Sequence, residues 1–459
     1  MRDRALWLGC LVYAVLFTWL GSIKYAAHRN LVDFGIFSQT VASAFGCFCN
    51  PVEGSHWAFH FSPILYAAGI AVAVIRSPLT LIALQAIAGA LVAPPIYALV
   101  RVRSDAGRAR LAALVTLLYP PLAGLVFGDF HENGFAPAAV AWTLYAFDAG
   151  MLVWAFVGAL ITLSVKEDQA VFLAVGGALG AWRFRGTRRG LLAAAVAATS
   201  VLVLTAFFAY IRPHAAAAAV ASWEPARFYA WNAMDARAIP AGVAARLGFV
   251  LLIFAPLLFL PFRSAVMWLA AAPLCEVLIS RMPTTFTLGT HYAGAWIGYV
   301  LAAFAFAVRA LTPRQARGAL FACLALCVLE FAVADPLHPG LNLRRPQSRD
   351  AALDRFLQTL PLEASIATQE EAYTHVALAD PYARLLPELP GQATEACFAL
   401  IDTSFPDSAR LQEYGETLSR LVRAQRFVSV AKTGGIELYR ASHCANESSH
   451  SKADGRGHR

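Results

Sequence analysis

The sequence contains few charged residues. Of its 459 residues, 14% are Asp, Glu, Lys or Arg and 58% are hydrophobic, whereas soluble globular domains have about 25% charged and about 45–50% apolar residues. This composition excludes an ordinary cytosolic enzyme and a disordered scaffold. Apolar runs of about twenty residues recur along the first three-quarters of the chain, and each can cross a bilayer as a helix. The sequence therefore predicts an α-helical, polytopic membrane protein.

Cysteine is also scarce, since eight residues in a chain of this length do not form a disulfide scaffold. Two pairs lie outside the predicted spans and are candidates for disulfides: Cys47 with Cys49, and Cys397 with Cys444. The net charge of +8 does not indicate a nucleic-acid partner. The basic residues cluster between apolar runs, as in the cytoplasmic loops of membrane proteins.

Eleven apolar runs are the candidate spans, and the positive-inside rule selects this number. The runs are 6–22, 79–100, 110–127, 134–148, 151–165, 169–183, 190–211, 246–262, 265–280, 291–310 and 316–334. A shorter run, 61–75, is either a twelfth span or an interfacial helix. If it does not cross and the N-terminus is cytoplasmic, all the later arginine clusters are cytoplasmic; if it crosses, they all move outside. We therefore predict about 11 transmembrane helices in the plasma (inner) membrane.

The last 125 residues are expected to form a different kind of structure, since prolines and charges become common there. We predict a transmembrane domain over 1–334, a small extracytoplasmic α/β domain over 335–444 and a disordered tail over 445–459. A linker is expected over 343–349, and a helix over 406–425 from its apolar spacing. Predicted strands are 365–368, 397–401, 427–430 and 436–439.

Three clusters of polar residues fall on the predicted outer face, at the ends of apolar runs. Ionisable groups near hydrocarbon are costly, so such clusters require an explanation. The clusters are Asn30, Asp33 and Gln39; Asp129, His131 and Glu132; and Lys166, Glu167 and Asp168. The same face carries His60, His291 and Tyr292. Separate loops that converge on one face are typical of an active site or a transport vestibule, although each cluster is also compatible with a solvated turn.

These residue types could serve sugar transfer from a lipid phosphate. A desolvated carboxylate can act as a general base towards a hydroxyl group. Lys166 or a divalent metal ion could neutralise a phosphate leaving group. Asp129, His131 and Glu132 are suitable metal ligands by type, but their spacing matches no standard zinc pattern, so the metal is left unknown.

Several motifs together resemble the bacterial and archaeal membrane family called domain of unknown function 2079. They are Asn30…Asp33-Phe-Gly-Ile-Phe-Ser-Gln39, His60-Phe-Ser-Pro63, Pro78…Gln85, Asp129-Phe-His131 with Phe135-Ala-Pro137, and Lys166-Glu-Asp168. The resemblance covers roughly residues 20–310 and extends more weakly to Gly435-Ile-Glu-Leu-Tyr-Arg440. That family in turn resembles the GT-C superfamily of membrane glycosyltransferases.

The resemblance implies an inverting transfer from a polyprenyl-phosphate-linked sugar at the outer face of the membrane. Asp33 matches the acidic residue of the first outer loop in that superfamily, which implies the role of general base. The second cluster would shape the site or hold a metal, and the third would position the donor phosphate. Asn30, Gln39, His60, His291 and Tyr292 would line the pocket.

Two other functions remain open. A secondary transporter usually places its coupling carboxylates near the bilayer midplane, at the interface of inverted repeats. Here the acidic residues lie at helix ends on one face and the span number is odd, which favours the enzyme. A non-catalytic assembly or receptor protein would explain the C-terminal region but would leave the three polar clusters as solvated turns.

Overall fold

The protein is mostly helical, with a mixed β-sheet near its C-terminus. The computed structural model describes residues 3–218, 226–229, 239–338, 342–360, 365–386, 396–405, 411–424, 427–442 and 444. The chain divides into two compact units. The first consists of Met1–Ser22 with Ser55–Asn342, and the second of Ile23–Gly54 with Leu343–Arg459.

The α-helices range in length from 4 to 23 residues. The α-helices are α1 (Arg4–Ala26), α2 (Val32–Ala42), α3 (Leu65–Val74), α4 (Pro78–Ala90), α5 (Ala93–Arg101), α6 (Ala106–Leu117), α7 (Pro120–Phe127), α8 (Ala136–Asp148), α9 (Leu152–Leu163), α10 (Glu167–Arg183), α11 (Arg188–Ala206), α12 (Arg212–Ala215), α13 (Ala226–Tyr229), α14 (Ile239–Phe254), α15 (Ala271–Ile279), α16 (Ile297–Val308), α17 (Pro313–Val333), α18 (Ser348–Gln358), α19 (Glu370–Val376) and α20 (Leu411–Ala424). The strands are β1 (Cys49–Asn50), β2 (Gly54–Ser55), β3 (Ile366–Thr368), β4 (Arg384–Leu385), β5 (Phe398–Asp402), β6 (Phe427–Thr433) and β7 (Ile436–Ala441).

The apolar helices confirm a multi-span membrane protein. Within the described ranges, four helical segments are long and apolar enough to cross a bilayer: Arg4–Ala26, Pro78–Arg101, Arg188–Ala215 and Pro313–Val333. The pair α6 and α7 would be a fifth. The run 61–75 yields only α3, whose 10 residues extend about 15 Å against a hydrocarbon core of about 30 Å. The total of about 11 crossings stays a prediction.

Several predicted spans are not single α-helices: for example, 246–262 ends in 3₁₀-helix and 291–310 begins in one. In 110–127 the chain bends by 48° between α6 and α7, because Pro120 and Pro121 lack the N–H that would continue the hydrogen bonding of α6. Proline is well suited to the first turn of a new helix, which is where α7 places them. The span predicted over 265–280 begins as a 3₁₀-helix, Ala265–Ala270, and becomes α-helical only in α15.

The C-terminal sheet has the strand order β4-β3-β5-β7-β6. Strand β3 is parallel to β4 and β5, whereas β7 is antiparallel to β5 and β6. The four predicted strands are confirmed as β3, β5, β6 and β7, with ends shifted by a few residues. Strand β4 and the helices α18 and α19 were not expected from the sequence.

The predicted linker, the predicted helix and the candidate disulfides can be compared with the structure one by one. The predicted linker 343–349 is too long, because α18 already begins at Ser348. The predicted helix 406–425 contains α20, and its remaining residues, like the tail 445–459, lie outside the described residues. Both cysteine pairs form disulfides, Cys47–Cys49 and Cys397–Cys444.

Helix α2 packs closely on α19 within the second unit. A Cβ atom at Gly35 would lie 2.3 Å from the ring of Tyr373, so this approach requires glycine. One turn further on, Gln39 Nε2 donates to the carbonyl oxygens of Asp380 (3.0 Å) and Ala383 (2.9 Å). Gln39 Oε1 accepts from the Tyr373 hydroxyl at 2.5 Å. These contacts fix the helix that carries Asp33 in its first turn.

Candidate functional site

A cluster of ionisable side chains is buried in the first unit, where the α7–α8 and α9–α10 connections meet. Glu132 is fully buried, and its Oε2 atom lies 2.9 Å from His131 Nδ1. Its Oε1 atom lies 3.7 Å from Lys166 Nζ, the residue just before α10. We call these three residues the Glu132 cluster.

Gln85 on α4 holds the connection that carries His131 and Glu132. Its Oε1 atom accepts the backbone N–H of His131 at 3.0 Å. Its Nε2 atom donates to the carbonyl oxygens of Leu125 and Val126, each at 3.2 Å. The side chain is buried, where an amide without hydrogen bonds would be costly, so these contacts position the connection against α4.

A polar contact lies beside the cluster and joins α10 to the segment before α3. His60 Nδ1 lies 2.9 Å from Glu167 Oε1, and the backbone N–H of Phe61 donates to Glu167 Oε2 at 2.9 Å. Glu167 occupies the first turn of α10, where the helix dipole favours a carboxylate.

His291 completes this group from a distant part of the sequence. Its ring stacks on that of His131, with centroids 3.8 Å apart and planes inclined by 8°. The contact depends on Gly294 in the same 3₁₀-helix, His291–Ala295, because a Cβ there would lie 2.2 Å from the carbonyl oxygen of Asn133.

We expect Gly294→Ala to lower the free energy of unfolding by about 1–3 kcal/mol, as overpacking usually does. The substitution should also displace His291 from His131. Thermal unfolding of the purified protein measures the change. Gly248→Ala in α14 is the control: among the described residues, no heavy atom beyond the local helix backbone lies within 4 Å of the added Cβ, so alanine should stabilise the helix by about 0.5–1 kcal/mol. Equal effects of the two substitutions would contradict the proposed packing constraint.

The charges in the Glu132 cluster stabilise one another. Burial alone would raise the pKa of Glu132, but His131 and Lys166 outweigh it and hold this pKa well below its usual value. Burial alone would lower the pKa of Lys166, but the surrounding carboxylates, Glu132 first, raise it. Burial lowers the pKa of His131. At neutral pH the Glu132 carboxylate is therefore expected to be ionised beside the Lys166 ammonium group.

The remaining predicted site residues lie in both units. In the first unit, Asp129 is half-buried before His131, Tyr292 follows His291, and Asp168 follows Glu167 in α10. Asp168 interacts electrostatically with Lys166. Asn30, Asp33 and Gln39 belong to the second unit. Asn30 is buried in the α1–α2 connection and Asp33 is half-buried.

Sequence reasoning missed Glu276, which lies on α15 and interacts electrostatically with Asp168 and Lys166. The sequence does contain a signal for Glu276, because a carboxylate within a predicted membrane span, here 265–280, itself indicates a functional residue.

The second polar cluster does not form a compact metal site in this structure. Among the described residues, one group of three side chains brings its ligand atoms within 4.8 Å of one another, and it consists of His28, Asp354 and His375. Asp129, His131 and Glu132 are not part of it, and the Glu132 carboxylate faces an ammonium group. We therefore assign no metal to the Glu132 cluster.

Solved structures show which class of fold this is. The chain is similar to ArnT from Cupriavidus metallidurans bound to undecaprenyl phosphate, with a TM-score of 0.55, 12% identity, and coverage of 94% of this chain and 97% of that one. For the same protein in the apo state the TM-score is 0.54 and the identity 12%, with coverage of 94% of this chain and 98% of that one. An oligosaccharyltransferase from Archaeoglobus fulgidus, in complex with Zn and sulfate, has a TM-score of 0.47 and 14% identity, with coverage of 95% of this chain and 73% of that one. The ArnT comparisons define the fold: a mostly helical, multi-span membrane protein with an ArnT-like fold and a C-terminal mixed β-sheet.

Family membership follows from the sequence match. Residues 29–438 match the family described as "Predicted membrane protein (DUF2079)", and the chain belongs to this family. This confirms the resemblance inferred from the motifs. No curated protein matches the chain significantly.

Proposed function

We propose that this protein is an integral-membrane glycosyltransferase that transfers a sugar from a polyprenyl-phosphate donor to an acceptor on the outer face of the plasma membrane. The observation that carries the proposal is the buried, ionised Glu132–Lys166 pair within an ArnT-like fold. In this proposal the N-terminus lies in the cytoplasm and the C-terminal domain lies outside it. The two disulfides support this topology, since disulfides persist in oxidising compartments.

The Glu132 cluster has the chemistry expected of a phosphate-binding site. A buried ion pair is weak evidence for stability, because desolvation offsets much of its attraction, so its presence calls for a further role. An ammonium group in a low-dielectric site stabilises developing negative charge more strongly than it would in water. We assign Lys166 to the phosphate of the donor, with Glu167 and Asp168 as positioning residues.

The remaining roles follow the same chemistry. Asp33 takes the proton of the acceptor hydroxyl group while the hydroxyl oxygen of the acceptor forms a bond to the anomeric carbon of the sugar. The bond from that carbon to the phosphate oxygen breaks, and polyprenyl phosphate leaves. Asp129, His131 and Glu132 shape the donor side of the site, and His60, His291 and Tyr292 line it. In the second unit, Asn30 and Gln39 support the segment that carries Asp33.

Binding of a lipid phosphate tests the proposal without knowledge of the sugar. The purified full-length protein is titrated with polyprenyl phosphate and, separately, with the polyprenol that lacks the phosphate. A ligand that binds only the native state raises the unfolding temperature. We expect polyprenyl phosphate to raise it and polyprenol to have little effect. Equal stabilisation by both lipids would show that the phosphate is not recognised and would contradict the proposal.

A further inference from the structure

Three metal-ligating side chains converge in the second unit, apart from the Glu132 cluster. His28 lies in the α1–α2 connection, Asp354 on α18 and His375 on α19. His28 Nε2 lies 3.2 Å and His375 Nδ1 lies 2.8 Å from the same carboxylate oxygen, Asp354 Oδ1. We infer that these three residues form a binding site for a divalent transition-metal ion of the Zn²⁺ type.

The outer nitrogens of both imidazoles are oriented as in metal-ligating histidines. His28 Nδ1 lies 3.1 Å from the carbonyl oxygen of Glu371, and His375 Nε2 lies 2.9 Å from that of Tyr25. A carbonyl oxygen only accepts, so each of these nitrogens carries the hydrogen. Metal-binding histidines characteristically donate their second N–H to a carbonyl or carboxylate in this way, which fixes the tautomer and the ring orientation.

The inner nitrogens therefore direct lone pairs towards a carboxylate in the neutral state. That arrangement is repulsive unless a metal ion, or a proton on an imidazole, lies between the nitrogens and the carboxylate. The contact of His28 Nε2 with Asp354 lacks hydrogen-bond geometry, and among the described residues this buried nitrogen has no hydrogen-bond partner. Ligand atoms about 2.0–2.1 Å from a tetrahedral zinc ion lie about 3.3 Å apart. The His28 distance of 3.2 Å is close to this value, and the His375 distance of 2.8 Å would lengthen on metal binding.

The ligand types and the exposure of the site indicate the class of metal. Two imidazoles and one carboxylate suit zinc and its divalent neighbours better than calcium or magnesium. His28 is fully buried, but the Asp354 side chain is 36% exposed. Asp354 and His375 also line a cavity of about 310 Å³, which gives room for a water molecule as a fourth ligand.

His28 has an unusual backbone conformation, and its ring stacks on that of His375. His28 has φ 54°, a left-handed conformation that non-glycine residues adopt rarely and often at functional sites. Its ring stacks on His375 with centroids 3.5 Å apart. Metal binding therefore requires the rings to tilt apart about Asp354. A bound ion would cross-link the α1–α2 connection to α18 and α19 within the second unit.

Zinc stoichiometry and affinity test the site directly. The full-length protein is stripped with a chelator, equilibrated with ZnCl₂ and analysed for bound metal, and Co²⁺ loading provides a visible ligand-field spectrum. We expect His375→Ala and Asp354→Asn each to lose one molar equivalent of zinc or to weaken its binding by at least about tenfold. Asp354→Asn is nearly isosteric and partly exposed, so it keeps a folded variant available.

Two controls separate this site from other histidines. His214→Ala removes an exposed histidine that contacts the Tyr210 carbonyl oxygen, and His131→Ala alters the Glu132 cluster. Both should keep the zinc equivalent and the Co²⁺ spectrum. The inference would be overturned if the wild type bound no more zinc than Asp354→Asn, as expected of a histidine pair that holds a proton instead of a metal.

Discussion

Replacement of Lys166 by glutamine is expected to weaken the binding of polyprenyl phosphate by about ten- to hundredfold. A hydrogen bond to a charged group contributes about 1.5–3 kcal/mol, and each 1.4 kcal/mol corresponds to a factor of ten. The measurement is the lipid titration of the purified protein, with wild type and variant compared at the same lipid concentrations.

The same substitution should destabilise the protein, since it leaves the Glu132 carboxylate buried without its ammonium partner. Breaking a buried ion pair typically costs about 3–5 kcal/mol. The double variant Lys166→Gln with Glu132→Gln removes both charges and should recover most of this stability. It should not recover lipid binding, so the pair of variants separates folding from recognition.

Lys432→Gln is the matched control. Lys432 forms an ion pair with Glu437 on the neighbouring strand, and its side chain is 65% exposed. Loss of an exposed ion pair costs at most about 1 kcal/mol, and lipid binding should not change. A Lys166→Gln protein that binds polyprenyl phosphate as tightly as the wild type would refute the role assigned to Lys166.

Asp33→Asn is expected to lower turnover by about 10²–10⁴-fold, the usual contribution of a general base. The amide has nearly the shape of the carboxylate but cannot take the proton of the acceptor. The donor affinity should be retained, because the donor phosphate is assigned to Lys166. The measurement is single-turnover transfer by the purified variant, together with its lipid titration.

Asp105→Asn controls for the loss of an aspartate near the start of a helix. Asp105 is the N-cap of α6 and accepts the backbone N–H of Arg108 at 2.9 Å, a role that asparagine fills equally well. This variant should retain full turnover. Retained turnover in Asp33→Asn would exclude Asp33 as the base, even if the protein proved to be a glycosyltransferase.

The local features of the fold could be predicted because they depend on neighbouring residues. Apolar runs indicated the membrane helices, and short apolar runs between turn residues indicated β3, β5, β6 and β7. The bend at Pro120 is equally local, since the proline pair is visible in the sequence, but we predicted 110–127 as one span without using it. The short helix α19 could not be predicted, because it lies in a polar segment without a clear apolar pattern. Its packing on Gly35 also joins residues that are far apart in the chain.

The candidate site could be predicted in composition but not in geometry. The sequence placed His131 and Glu132 in one polar cluster and Lys166 in another, both at helix ends, and the structure brings the three side chains together. Nothing in the spacing indicates that His291 stacks on His131, or that Gln85 holds the connection between α7 and α8. The group formed by His28, Asp354 and His375 was missed altogether, because its three members lie in separate segments and match no local metal-binding pattern.

Turnover with a panel of polyprenyl-phosphate-linked sugars is the most direct test of the central claim. The purified wild-type protein is incubated with each donor, and released polyprenyl phosphate is measured with and without candidate acceptors, beside Asp33→Asn and Lys166→Gln. We predict release with at least one donor by the wild type and little by either variant. Binding of the donors with no release from any of them, across acceptors, would contradict a glycosyltransferase and would favour a transport or assembly function.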